Sequence, residues 1–213
     1  MPNWVSNNLT LEGNKDLLDE VVEQLNKPFT NGTITYDKPI ISFWNMVKPS
    51  DDILEEYHGS ITTGGSMSNP NNWYSWNNQH WGTKWDIAVD NGEEYAETTI
   101  DISSGVVSYT FQTAWSPPIP ALIALSNTYP ELELFLDYEE EQGWGGEIVI
   151  QNGLVQPILE YNWRCFNCGH KEAGDPNDLY CDTCEGTVCP ECNKNYEEIE
   201  CEHSEQEEQD DWA

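Results

Sequence analysis

The sequence predicts an α+β protein: a ferredoxin-like sandwich, with an antiparallel sheet and two helices on one face, followed by a small C-terminal zinc-binding module. Three observations lead there. Segments of strand and helix periodicity alternate through residues 1–158 in the order strand, helix, strand, insertion, strand, helix, strand. All seven cysteines fall after residue 164, so the two parts separate cleanly along the chain. No apolar run reaches the roughly 20 residues that a membrane-spanning helix needs.

The first strand is read from Trp4 to Leu11, where Val5, Asn7, Leu9 and Leu11 alternate with Trp4, Ser6, Asn8 and Thr10. After Gly13, Asn14 offers a helix N-cap, and Leu17, Leu18, Val21, Val22 and Leu25 share one helical face before Pro28. Ile40 to Val47, an apolar run between Pro39 and Pro49, reads as a buried second strand. An aromatic-rich insertion is expected at about 50–90: a capped helical turn at Ser50–Glu56, a polar loop from Gly59 to Asn72, and then Trp73, Tyr74, Trp76, Trp81 and Trp85 crowded into thirteen positions, whose spacing suits a short helix that ends at Gly82. Val106 to Thr113 alternates as a strand. Ala114 to Pro120 reads as a rigid bend in which Ser116 or a proline starts the next helix, near Ile119 to Tyr129, since proline is tolerated in a first turn. Leu132, Leu134, Leu136 and Tyr138 then mark a further strand, which Glu147 to Gln151 continues past Gly145-Gly146.

Three blocks carry a family resemblance: Met1-Pro2-Asn3-Trp4-Val5-Ser6-Asn7-Asn8-Leu9, Trp76 through Trp81-Gly82-Thr83-Lys84-Trp85-Asp86, and Phe111-Gln112-Thr113-Ala114-Trp115-Ser116-Pro117-Pro118. Over about residues 1–150 the chain resembles the YubB-type ferredoxin-like domain family of bacteriophage and plasmid proteins. Val5 stands where many members have a cysteine. The resemblance implies the fold and a mobile-element setting, and it supplies no catalytic residue. Trp73, Trp76, Trp81, Lys84, Trp85 and Trp115 form the candidate interaction surface; the alternative is that these rings fill the core, with Lys84 as structural glue.

The C-terminal module is assigned to residues 161–203. Its ligand pairs are Cys165-x2-Cys168, Cys181-x2-Cys184, Cys189-x2-Cys192 and Cys201-x-His203, which suffice for two tetrahedral zinc sites. Two pairings are open. In the sequential one Cys165, Cys168, Cys181 and Cys184 hold one zinc, and Cys189, Cys192, Cys201 and His203 the other. In the interleaved one the first and third pairs share a zinc, as do the second and fourth. A single zinc ribbon that omits Cys201 and His203 is the third possibility. Leu, Ile, Val and Phe number only four between 161 and 203, too few to offset chain entropy without metal. Residues 204–213 are an acidic tail with the composition of a disordered segment.

Charge narrows the function. Lys and Arg total 8 against 39 Asp and Glu, and the excess is spread: 5 against 24 in residues 1–160, and 3 against 15 after them. Phosphate backbones are bound by clustered Lys and Arg, so direct nucleic-acid binding is disfavoured and a basic protein partner is favoured. No P-loop, HExxH, G-x-S-x-G or Rossmann glycine pattern occurs, and no signal-peptide pattern opens the chain. The expected protein is a noncatalytic zinc-binding interaction protein, cytoplasmic, with no membrane contact. Its alternatives are an acidic nucleic-acid mimic and a nucleic-acid-binding module that uses sheet aromatics.

Overall fold

A computed structural model of the chain describes residues 3–87, 98–103, 105–165, 171–172, 180–181 and 186–187. It divides into two compact units, Met1–Glu141 with Gly146–Leu159, and Gln142–Gly145 with the chain from Glu160 onward.

The first unit opens on β1 (Trp4–Glu12), whose odd-numbered residues Val5, Asn7, Leu9 and Leu11 are fully buried, as the alternation predicts. Then comes α1 (Lys15–Leu25). Asn14 caps it by accepting a hydrogen bond from the Leu17 N–H at 3.0 Å, and Leu18, Val21 and Leu25 are its buried stripe. Next come a small hairpin, β2 (Phe29–Asn31) with β3 (Ile34–Tyr36), and two helices, α2 (Leu54–Thr63) and α3 (Trp73–His80). The chain then returns through β4 (Thr99–Ser103), β5 (Val106–Ala114), α4 (Ile119–Thr128), β6 (Glu133–Glu140), β7 (Gly145–Gln151) and β8 (Leu154–Tyr161).

These strands form one sheet in the order β4-β5-β1-β6-β7-β8. Its first four strands, with α1 after β1 and α4 after β5, have the ferredoxin-like connectivity, and every pairing of β1 and β5 is antiparallel. β7 and β8 widen that sheet beyond the fold's basic four strands. Register places Val5, Asn7, Leu9 and Leu11 beside Thr113, Phe111, Tyr109 and Val107 on one flank and Glu140, Tyr138, Leu136 and Leu134 on the other. Those residues form a nearly continuous buried face. The opposite face of β1, β4, β5 and β6 carries Glu12, Asp101, Glu133, Asp137 and Glu139 and no Lys or Arg.

Two expectations are corrected. Ile40–Val47 is not a strand. Its residues Ile41, Ser42, Phe43 and Trp44 are buried, but the Phe43 and Trp44 N–H groups donate to the Asp86 carboxylate at 2.8 and 3.0 Å, and the Met46 and Val47 N–H groups turn back to the Phe43 carbonyl. Backbone donors satisfied in this way have no ladder to join. The second ferredoxin strand is instead β4, so the inserted segment lies between α1 and β4, ahead of that strand rather than behind it. The polar loop expected from Gly59 is likewise displaced, because α2 runs through Gly59 to Thr63 and ends at Gly64 with φ of 78°. The described unit holds four helices: α1 and α4, the two expected of the sandwich, and in the insertion α2 and α3, where a helical turn and a short helix were expected.

The second unit contributes two short hairpins among its described residues. β9 (Trp163–Arg164) pairs with β10 (Lys171–Glu172), and β11 (Tyr180–Cys181) pairs with β12 (Gly186–Thr187). Cys165 is buried. Cys168, Cys184, Cys189, Cys192, Cys201, His203 and the tail 204–213 lie outside the described residues.

Candidate functional site

The inserted segment is built around aromatic rings. Tyr57 of α2, Trp76 of α3, Trp81, Phe43 and Trp44 pack as one cluster: Trp76 meets Trp81 edge-on at 5.5 Å and Tyr57 at 5.7 Å, and Phe43 lies 6.1 Å from both Trp81 and Phe111 of the sheet. Polar ends are satisfied. The Trp81 indole donates to the Val47 carbonyl at 2.9 Å, and the Tyr57 hydroxyl donates to Asn77 Oδ1 at 2.9 Å. Burial pushes the Tyr57 phenol above its ordinary pKa and lowers that of His80, whose ring stacks on Trp76 at 4.4 Å.

Of the six residues proposed for an interaction surface, this packing removes two. Trp76 and Trp81 are 4% and 1% exposed and belong to the core. Trp73 and Trp85 are half-buried, as is Lys84, and Trp115 is 41% exposed. Lys84 Nζ lies 4.3 Å from the centroid of Trp85 and 4.8 Å from that of Trp115, so two indole faces hold one ammonium. Trp4 joins Trp85 at 6.2 Å, and Tyr74 meets Trp115 edge-on at 6.2 Å. Trp4 and Tyr74 were not among the six: Trp4 stood in the first sequence block and on the outward side of a strand, and Tyr74 in the aromatic-rich stretch, with no signal that set either apart.

The three sequence blocks meet here. The Trp115 N–H donates to the Asn3 carbonyl at 2.9 Å, Asn7 Nδ2 donates to Thr113 Oγ1 at 2.9 Å, and Thr113 Oγ1 donates to the Ser116 carbonyl at 2.8 Å. From the Trp81–Asp86 block, Thr83 Oγ1 donates to the Ala114 carbonyl at 2.9 Å, and the Gly82 carbonyl accepts from Ser116 Oγ. Asp86 fixes the block's other end: Oδ1 accepts from the Phe43 and Ile87 N–H groups and Oδ2 from Ser42 Oγ and the Trp44 N–H, all within 3.0 Å.

Gly82 makes the close approach possible. Its φ is 82°, and a Cβ there would stand 2.5 Å from Pro120 Cδ and 3.1 Å from the Pro117 carbonyl oxygen. Gly82→Ala is expected to cost about 2–4 kcal/mol, from left-handed backbone strain and overpacking against a rigid ring. Urea unfolding measures this; a loss below about 0.5 kcal/mol, the range of an ordinary surface change, contradicts the contact.

Trp115 is unusual in its backbone. Its φ is 73°, in the left-handed region that costs a bulky residue about 1–2 kcal/mol. An exposed ring is thus held out, at an energetic cost, beside a caged cation. No metal-binding group of three or more His, Cys, Asp or Glu side chains occurs among the described residues.

The fold and this cluster together define a ferredoxin-like α+β protein with a widened sheet and an aromatic insertion. Residues 84–164 match the family described as "Ferredoxin-like domain in Api92-like protein", a span that takes in β4 to β8 and α4. The chain is also similar to the crystal structure of a protein api92 from Yersinia pseudotuberculosis, at 11% identity, over 76% of this chain and 99% of that one, with a TM-score of 0.45. No curated protein matches the sequence.

Proposed function

We propose that the chain is a noncatalytic interaction protein, zinc-stabilised at its C-terminal end, that engages a basic protein partner through the surface of Lys84, Trp85 and Trp115. The observation that carries this reading is Trp115: its indole stays 41% exposed on a strained backbone, and exposed tryptophans are common anchors of protein interfaces. The net charge of −31 supplies attraction for a basic partner and makes the encounter salt-dependent. The mobile-element setting implied by the family resemblance is part of this proposal.

Zinc is proposed on the cysteine spacing, and the backbone fits it. Arg164 pairs with Lys171, so the Cys165-x2-Cys168 segment follows one strand of a hairpin and precedes its mate; Cys181 ends β11 and pairs with Gly186, so Cys181-x2-Cys184 starts on one strand and precedes the other. A CxxC between two short antiparallel strands suits a structural site closed by four protein ligands. Such sites leave no position for a reactive water, in keeping with a noncatalytic role.

A second reading has one observation in its favour. The sheet face bearing Asp101, Glu133, Asp137 and Glu139 gathers acidic residues, and the described strands β1, β4, β5 and β6 contribute no Lys or Arg to it, as a nucleic-acid mimic requires. Recognition of RNA by stacking on the sheet has less support, since the middle of β1 and β5 presents Asn8, Thr10, Ser108 and Thr110 on that face instead of rings.

The test replaces Trp115 by glycine. Strain is relieved as the cation–π contact is lost, so Trp115→Gly is expected to stay within about 1 kcal/mol of the parent in urea unfolding. Binding to immobilised polylysine and to a basic protein, measured by interferometry at low salt, is expected to weaken about tenfold, the loss of one interface anchor. Undiminished binding removes the cluster from the interface. Tight binding of oligonucleotides replaces the whole reading with a nucleic-acid module, and displacement of an oligonucleotide from a basic protein by this chain favours mimicry.

A further inference from the structure

A second surface lies at the β4 edge and shares no residue with the Lys84 cluster. In the sheet order β4 pairs only with β5, and among the described residues no strand occupies its outer side. Register with β5 sets Ile100 and Ile102 opposite Tyr109 and Val107, on the helix side, and turns Asp101 to the other face. Between this edge and α1 runs a groove of about 500 Å³, with Leu18 and Val107 buried at its base, Val22 on its helix wall and Ile102 on its strand wall. Ile102 is 61% exposed. Ile100 and Ile102 make the groove side of this edge apolar, and a strand edge that no described strand pairs offers backbone donors and acceptors to another chain.

The charges at this edge select the occupant. Lys15 is already bonded to Asp19, its partner one turn along α1, while Glu23 also lines the groove and Asp101 stands exposed on the strand. A second copy of the edge would bring Asp101 toward Asp101 in a chain that already carries −31. We propose that the β4 edge binds an extended basic segment of a protein partner by strand addition. The segment's backbone pairs with β4. Its alternate apolar side chains enter the groove between Val22 and Ile102, and the Lys or Arg residues between them face Asp101.

The probe is acetyl-Lys-Val-Lys-Val-Lys-Val-amide, titrated at low salt into the full-length ¹⁵N-labelled protein. The expected result is saturable shifts on the amides of residues 99–103 and on α1 around Leu18 and Val22. A peptide with Glu for Lys, and one N-methylated on alternate amides so that it cannot join a ladder, are each expected to bind about tenfold more weakly or worse. Ile102→Asp removes the strand wall and is expected to weaken binding about tenfold. Because Ile102 is largely exposed the variant keeps its fold, which the unchanged sheet resonances verify. Shifts around Trp115 report the surface proposed above, so Trp115→Gly is expected to remove those alone and to leave the shifts at residues 99–103 as they were, which separates this groove from the aromatic cluster. Absence of shifts at 99–103, equal shifts there with the Glu or N-methylated peptide, or loss of the 99–103 shifts in Trp115→Gly would each overturn the assignment.

Discussion

Removal of zinc with a strong chelator is expected to unfold residues 161–203 and leave the six-stranded sheet intact. This proposal rests on an imbalance of energies. The module holds four Leu, Ile, Val and Phe residues in forty-three, while ordering a backbone costs about 1–2 kcal/mol per residue. A structural zinc supplies about 10–16 kcal/mol of apparent binding energy, a contribution that so few apolar side chains cannot replace. The sheet has its own resources: Leu9, Leu11, Tyr109, Phe111, Leu134 and Leu136 form a core with no cysteine in it. Hydrogen exchange read by mass spectrometry should show protection lost after Glu160 and kept in β1, β5 and β6. Loss of protection throughout the chain would show that the module is integral to the sheet, and unchanged protection everywhere would show that metal does not fold it. Metal analysis before chelation distinguishes eight ligands, at about two zinc ions per chain, from a single ribbon at about one.

The second large effect belongs to Trp81. Trp81→Ala is expected to cost about 3–5 kcal/mol for the cavity. The Val47 carbonyl, deprived of its indole donor, adds about 1 kcal/mol. Against a typical total of about 5–15 kcal/mol this is a large share of the stability. Trp81→Phe keeps most of the ring contact with Trp76 and Phe43 and should recover the greater part of the loss. Urea midpoints measure both. A cost under about 1 kcal/mol for the alanine variant, no more than the average point mutation, would mean that the insertion's ring cluster contributes nothing to the cooperative core.

The contrast between Trp81 and Trp115 shows what the sequence could and could not state. Strands β1, β5 and β6 were legible because one face of each is buried and the other is not, which imprints a period of two. Asn14 and the prolines before α4 were legible because capping is local. Ile40–Val47 misled because its apolar, partly β-branched run matches a strand, while the group that holds it as a turn, Asp86, is some forty residues away and leaves no periodic trace. β4 was missed as a five-residue edge strand, and β8 because Pro157 interrupts its pattern. Within the site, the tryptophan motifs were plain, but their fates were not. Trp76 and Trp81 face inward only because α3 is placed over Phe43 and Tyr57, a tertiary fact; Trp115 faces outward because its φ is positive, which no side-chain pattern encodes.

The position of β1 has a consequence for how the protein is made. The first strand of the chain is an inner strand of the sheet: Thr10 waits for Ser108 on one side and Phe135 on the other. A ribosome adding about 5–20 residues per second therefore leaves β1 without either neighbour for roughly 5–20 s after it emerges. Such distant pairings also slow refolding of the finished chain. During that interval the alternate residues of β1 that remain polar, Asn7 among the inward ones and Ser6, Asn8 and Thr10 among the outward ones, keep the waiting strand from being a wholly apolar, aggregation-prone segment.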